Sequence, residues 1–142
     1  AASVRAATEQ IGANLLVAIH NVAAAEAFVL GMKAGLDPEA IYRVIGDGAG
    51  GSRMFTVRGP LMVRDVYEPA TMKVQIWQKD MRIISDFATD LDCPTPLLDA
   101  CAGIYTAAMA QGRGGQDTAA VCAVLSEMAR LARPPRQDPA QD

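Results

Sequence analysis

The stretch from Asn14 to Asp37, NLLVAIHNVAAAEAFVLGMKAGLD, decides the fold of this 142-residue chain. It is rich in alanine and leucine and lacks the alternation of a strand, so it predicts one long helix. We expect that helix to open near Thr8-Glu9. Gly35 is well placed as its left-handed cap, and Asp37-Pro38 supplies an N-cap and a first-turn proline for the next helix. An apolar rod must give each of its few polar side chains a partner, so those side chains are candidates for chemistry.

Helical patterns continue through the rest of the chain. Helices are predicted up to Gly46, from Ser52 to Val57, from Lys73 to Leu91, from Pro96 to Gly112, and after an Asp117 cap. Residues 58–70, which contain Gly59-Pro60, are predicted as irregular surface. The fold class is therefore all-α: a helical bundle of about six helices with a long first helix. We expect residues 1–132 to form one helical domain and residues 133–142 to be a disordered tail.

Composition narrows the classes of function. The formal charge of −3 and the absence of a basic patch argue against nucleic acid as a partner. No charge-free apolar run reaches about 18 residues, so no membrane span is expected. The four glycines of residues 46–51 match no phosphate-loop pattern and predict a flexible turn. A single histidine without clustered ligands predicts no metal site. The chain starts without Met, and we expect it to be a piece of a longer protein.

Cys93, Cys101 and Cys122 are odd in number and lack a C-x-x-C spacing. This usage favours a reducing compartment, so we expect a cytoplasmic protein with free thiols. Each thiol is expected to act as a small apolar filler between helices.

Three polar side chains are the candidate site residues. Gln10 and Asn14 are four residues apart, so they share one face of the first helix. Their amides can hold a carboxylate or a hydroxyl but cannot act as a general acid or base at neutral pH. Lys79, beside Asp80, offers a fixed positive charge or, when desolvated, a proton carrier. The spacing leaves open that both features simply face solvent. Glu26 is expected either to pair with a basic side chain or to emerge at the edge of the apolar stripe.

Several short motifs occur together in a characteristic order. They are Asn14-Leu15-Leu16, Ala25-Glu26-Ala27, Lys33-Ala34-Gly35-Leu36-Asp37-Pro38, Lys79-Asp80-Met81, Pro96-Leu97, Tyr105, Gly112 and Asp117-Thr118-Ala119-Ala120. This ordered set, from about Asn14 to Met128, resembles the C-terminal helical domain of the 3-hydroxyisobutyrate dehydrogenase (β-hydroxyacid dehydrogenase) family. That family is related to 6-phosphogluconate dehydrogenase.

The resemblance implies one half of a two-part enzyme. An N-terminal dinucleotide-binding domain would hold NAD or NADP, and the helical part would close the substrate cleft and form the interface of a homodimer. Such oxidoreductases oxidise a small hydroxy acid by hydride transfer to nicotinamide. By this resemblance Asn14 would orient the substrate or the catalytic lysine, and Lys79 would lie near the cofactor and substrate. The chain alone is expected to be inactive and to bind no cofactor tightly.

The chain departs from the family at its general acid/base. Gln10 stands where the family has its catalytic lysine, and a glutamine cannot take the hydroxyl proton. Loss of such a group commonly lowers the rate by about 10²–10⁴-fold. Two hypotheses follow. Either the chain is the substrate and oligomerisation domain of a hydroxyacid dehydrogenase, in which Lys79 could act as a substitute base, or it is a catalytically inactive binding or assembly module derived from that family.

Overall fold

The computed structural model describes residues 2–134, which form helices joined by short loops. In chain order the elements are α1 (Ala2–Lys33), α2 (Pro38–Gly46), α3 (Arg53–Arg64), α4 (Val74–Asp90), α5 (Pro96–Ala110), a 3₁₀ turn (Thr118–Ala120) and α6 (Val121–Met128). Within that range the only extended pairing is an isolated β-bridge between Lys73 and Asp117. The all-α bundle of six helices with a long first helix is confirmed.

Three helix ends predicted from capping residues, at Gly35, Asp37 and Ser52, are confirmed. Gly35 has a φ of 92°, as a left-handed cap requires. The Asp37 carboxylate accepts a hydrogen bond of 3.2 Å from the backbone N–H of Glu39 at the start of α2. The Ser52 hydroxyl likewise accepts one of 3.0 Å from Phe55 in α3. The Asp37 and Ser52 side chains each satisfy a backbone donor that the first helical turn leaves without an internal partner.

The first helix begins earlier than predicted. It starts at Ala2, not near Thr8-Glu9. Glu9 pairs with Arg5 one turn earlier, at 2.9 Å, and the Thr8 hydroxyl donates to the carbonyl of Val4 at 2.9 Å. Both side chains therefore act inside a helix that has already begun, and alanine-rich residues on either side of them favour its continuation.

The prediction of irregular surface at residues 58–70 is wrong for its first half, because α3 continues through Gly59-Pro60 to Arg64. A proline inside a helix leaves the carbonyl four residues earlier without its N–H partner. Here that carbonyl belongs to Thr56, and the Tyr42 hydroxyl donates to it at 3.1 Å. Gly59 lets the Tyr42 ring approach, since a Cβ at that position would lie 2.7 Å from the ring carbon Cε2. A neighbouring helix thus supplies the hydrogen bond that the proline removes.

The core forms around α1, which contacts every other helix. The Phe28 ring of α1 stacks on Phe55 of α3, with ring centroids 5.3 Å apart, and Tyr42 stacks on the same ring at 5.4 Å. Other large side chains buried around α1 are Met62, Trp77, Ile84, Leu98, Tyr105 and Val121. Burial of each such apolar side chain contributes about 1.5–3 kcal/mol.

The chain end described by the structure is anchored on α3. Arg133 donates hydrogen bonds to the terminal carbonyls of Met62 and Val63, the second at 2.7 Å, and its guanidinium lies 3.8 Å from the Asp65 carboxylate. A cation at a helix C-terminus is favoured because carbonyls there lack helical partners. The remainder of the predicted tail, residues 135–142, lies outside the described residues.

Of the described helices, α1 is also long and apolar enough to cross a membrane. One such helix is weak evidence for a span, because the core helix of a soluble protein passes the same test. Val22, Ala25 and Phe28 on its inner face are buried against the rest of the bundle.

Candidate functional site

Gln10 and Asn14 lie on the face of α1 that enters the core further along the helix. At about 100° per residue, positions 10, 14, 21 and 28 fall within a narrow arc. Asn21 and Phe28 are buried, Asn14 is half-buried and Gln10 is exposed. The inner face of α1 therefore leaves the bundle near Asn14, where polar side chains can be presented next to the core.

The structure brings Gln10 and Asn14 together. The Gln10 Nε2 donates a hydrogen bond of 2.9 Å to the Asn14 Oδ1. This contact directs the Asn14 N–H₂ group, a donor, away from Gln10. The pair can thus hold a carboxylate or hydroxyl through neutral donors and acceptors, but neither member can transfer a proton at neutral pH.

Lys79 lies on the exposed side of α4. It follows the buried Trp77 by two residues, which places it about 200° around the helix from the core. Within residues 2–134 it makes no hydrogen bond or ion pair, and the structure shows no contact of this kind with Gln10 or Asn14. Asp80 beside it is half-buried. The ammonium group is therefore available to an anion from outside the described part of the chain.

Asn21, which sequence reasoning missed, joins α1 to two other elements. Its Nδ2 donates to the Tyr105 hydroxyl of α5 at 3.0 Å and to the carbonyl of Thr118 in the 3₁₀ turn at 2.9 Å. The Tyr105 hydroxyl donates back to the carbonyl of Ala18 at 3.0 Å. Burial raises the pKa of Tyr105, so its hydroxyl stays protonated and able to donate. The sequence signal was the spacing of Asn21, seven residues or two turns after Asn14.

Asp117 caps the last helical segment, as predicted, and also has a larger role. Its Oδ1 accepts from the N–H of Ala119 at 2.9 Å. Its Oδ2 accepts from the Arg58 guanidinium at 3.2 Å and from the backbone N–H groups of Thr71 and Met72 at 3.0 and 3.4 Å. Arg58 was predicted in irregular surface, yet its side chain is 10% exposed. The carboxylate thus fixes the segment that leads into α4.

Three further expectations concern titratable residues. In the described residues no group of three or more His, Cys, Asp or Glu side chains could hold a metal ion. Cys101 and Cys122 are buried, whereas Cys93 is exposed after the end of α4, so it is not the filler that was predicted. Glu26 is exposed at the edge of the inner face of α1, the second of its two predicted placements.

The fold and the amide pair define a helical domain that presents neutral polar groups where one long helix leaves its bundle. Residues 7–125 match the family model described as NAD-binding of NADP-dependent 3-hydroxyisobutyrate dehydrogenase. The chain is 39% identical over 111 residues to an L-threonate dehydrogenase of Cupriavidus necator, covering 78% of this chain and 37% of the relative. It is 36% identical to the L-threonate dehydrogenase of Haemophilus influenzae, covering 84% and 40%. The chain therefore belongs to the β-hydroxyacid dehydrogenase family.

Solved structures agree with this assignment. A 3-hydroxyisobutyrate dehydrogenase from Salmonella typhimurium superposes with a TM-score of 0.79 at 34% identity, over 82% of this chain and 41% of that one. A 3-hydroxyisobutyrate dehydrogenase from Mycobacterium tuberculosis, at 24% identity, shares the fold with a TM-score of 0.74. The chain thus spans roughly two-fifths of the length of the relatives it matches: 37% of the Cupriavidus necator relative and 41% of the Salmonella typhimurium one.

Proposed function

We propose that this chain is the C-terminal substrate-binding and dimerisation domain of an NAD(P)-dependent dehydrogenase that oxidises a small hydroxy acid. The observation that carries the proposal is the Gln10–Asn14 pair, held at 2.9 Å where the inner face of α1 leaves the core. An N-terminal dinucleotide-binding domain would provide the other wall of the cleft. The family membership and the coverage of about two-fifths of each relative support this division.

The residues present fit such a cleft on their chemistry. The Asn14 N–H₂ group would donate to the substrate carboxylate or hydroxyl, and Gln10 would hold that amide in place through its own hydrogen bond. Lys79, without an ion pair in the described residues, would contribute a positive charge near the substrate or the cofactor. A bound nicotinamide dinucleotide would supply the hydride acceptor. Of the three side chains, only that of Lys79 could take the hydroxyl proton, and only in its neutral amine form.

The experiment is an assay of the parent protein with NAD or NADP. L-Threonate is the first substrate to test, because it is the substrate named for two relatives. Lys79→Ala is expected to lower kcat by about 10²-fold or more if the lysine transfers the proton. Lys73→Ala, which removes another exposed lysine six residues earlier, is the matched control and should leave kcat within about twofold.

The alternative is a helical binding or assembly module that has lost catalysis, and the amide at Gln10 favours it. A parent that binds no dinucleotide, or binds it without turnover of any small hydroxy acid, would establish this alternative. For the chain alone, calorimetry is expected to detect no tight binding of NAD or NADP. Micromolar affinity would contradict that expectation.

Homodimerisation is the second part of the proposal. An apolar groove of about 360 Å³ lies between α1 and α6, and its lining includes Val29, Leu30, Leu125 and Met128. Leu30 and Met128 are 74% and 65% exposed. Exposed apolar patches of this kind commonly mark interfaces. Light scattering should show a dimer that Leu30→Lys weakens and that Leu97→Lys, at a leucine 66% exposed on α5, leaves intact. A strict monomer at high concentration would contradict the proposal.

A further inference from the structure

The first half of α1 extends from the bundle with little support. From Ser3 onward, Ala18 is the first fully buried residue of the helix, and before it only Ile11, Asn14, Leu15 and Val17 are half-buried. Residues 3–17 span about 22 Å at a rise of 1.5 Å per residue. Gln10 and Asn14 lie on this half, so their position depends on the direction in which α1 leaves the bundle.

Apolar packing alone specifies that direction weakly. Around the exit point α1 buries Ala18 and Val22, and its side chains Leu15, Val17 and Ile19 are only half-buried against the core. Apolar contacts of this kind have no preferred direction. Hydrogen bonds between buried groups are directional and have defined lengths. At the exit point these bonds come from the group that we call the Asn21 collar: the side chains of Asn21 and Tyr105 with the carbonyls of Ala18 and Thr118.

The collar also connects α1 to the helix that carries Lys79. The Trp77 ring of α4 packs against the Tyr105 ring, with ring centroids 6.5 Å apart. Trp77 precedes Lys79 by two residues, and Asn21 follows Asn14 by two helical turns. A single buried cluster therefore lies between the two helices that hold the candidate site residues.

We infer that Asn21 and Tyr105 are positioning residues, and that their hydrogen bonds set the direction of the exposed half of α1 and thereby the placement of Gln10 and Asn14 relative to α4. Gln10 is eleven residues from Asn21, or about 16 Å along the helix, so a tilt of about 15° at the collar would displace it by about 4 Å. The consequence for catalysis rests on the proposed function. The inferred control of the direction of α1 by Asn21 and Tyr105, and the experiment that tests it, do not depend on that function.

The test measures distances between nitroxide spin labels in this chain by pulsed dipolar spectroscopy. Native Cys93 is exposed and takes one label, whereas Cys101 and Cys122 are buried. The second label is placed on Gln10→Cys or, in a separate protein, on Gly12→Cys. Position 12 is about 200° around the helix from position 10, and a Cβ there would meet nothing within 4 Å. A tilt and a rotation of α1 then change the two distances differently.

Asn21→Leu and Tyr105→Phe are each expected to shift the distance from position 10 to Cys93 by about 3 Å or to broaden its distribution by a similar amount. Phe28→Leu is the matched control: it removes part of the aromatic stack at the other end of α1, so it should lower the melting temperature and leave both distances unchanged. Should Asn21→Leu fail to fold, Tyr105→Phe decides, because it removes only the hydroxyl. Unchanged distances in Tyr105→Phe and in any folded Asn21→Leu would overturn the inference, even if the parent proved to be an active dehydrogenase.

Discussion

Replacing Asp117 by alanine tests whether the segment before α4 depends on one buried carboxylate. The substitution removes the acceptor for four donors: the Arg58 guanidinium at 3.2 Å and the backbone N–H groups of Thr71, Met72 and Ala119 at 3.0, 3.4 and 2.9 Å. Water cannot easily replace it, because Asp117 is 0% exposed. The variant therefore leaves a buried guanidinium and three backbone donors without their partner.

The expected loss is a large part of the total stability. Removing one partner of a buried ion pair costs about 3–5 kcal/mol, and hydrogen bonds to charged groups contribute about 1.5–3 kcal/mol each. Local relaxation offsets part of that sum, so we expect Asp117→Ala to lower the free energy of unfolding by about 4 kcal/mol. Arg58→Met should cost less, about 3 kcal/mol, because Asp117 keeps its three backbone donors.

Urea unfolding followed by tryptophan fluorescence measures both losses. The chain has a single tryptophan, Trp77, which is 4% exposed and will report its transfer to water. Asp86→Ala is the control, since that exposed acid makes no hydrogen bond or ion pair within residues 2–134, and it should change stability by less than about 0.5 kcal/mol. The reasoning is refuted if Asp117→Ala costs under about 1 kcal/mol, or less than Arg58→Met.

Further outcomes are expected from the packing at two glycines, the burial of the cysteines and the ionisation of Cys122. Gly59→Ala should destabilise by about 1–2 kcal/mol in calorimetric melts, because its Cβ would lie 2.7 Å from a tyrosine ring. In Gly103→Ala the new Cβ would meet nothing within 4 Å, so this variant should instead be more stable by about 0.5–1 kcal/mol. A Gly103→Ala variant less stable than Gly59→Ala would contradict the argument. A thiol reagent should modify Cys93 rapidly and should modify Cys101 and Cys122 only on unfolding. Rapid modification of all three cysteines in the folded protein would contradict the fold. Burial raises the pKa of Cys122 to about 11 from 9.0. The unfolded thiol then ionises first, so stability measured by circular dichroism should fall between these pH values, and less steeply in Cys122→Ala.

Features set by a few neighbouring residues could be predicted from the sequence. The Gly35 cap, the Asp37-Pro38 start of α2 and the Ser52 cap of α3 are all local, and all are confirmed. The Gly59-Pro60 break was predicted wrongly because a tyrosine from another helix supplies the missing hydrogen bond. No local pattern identifies such a donor, since its position depends on tertiary packing.

In the candidate site, too, local features could be predicted from the sequence and tertiary contacts could not. The i, i+4 spacing of Gln10 and Asn14 predicted a shared face, and the structure joins them with a hydrogen bond. Asn21 could have been found from its spacing of two turns, but its partners lie 84 and 97 residues away along the chain. The roles of Gln10, Asn14 and Lys79 in chemistry stay predictions, because they depend on a second wall that these residues do not form.

The buried polar groups of this bundle are expected to hold its helices in defined positions as well as to stabilise the fold. Well-packed apolar side chains would often be as stabilising as buried ion pairs or amides. Yet the Asn21 collar and the Arg58–Asp117 pair both occur beside the helices that carry the candidate residues. Under the proposed function, these groups would support the geometry of the cleft, whereas Gln10 stands where the family resemblance places the base. Gln10→Lys in the parent, with Gln10→Met as the control, is then the single change expected to raise hydride transfer, and an equal rate in both variants would favour the assembly module.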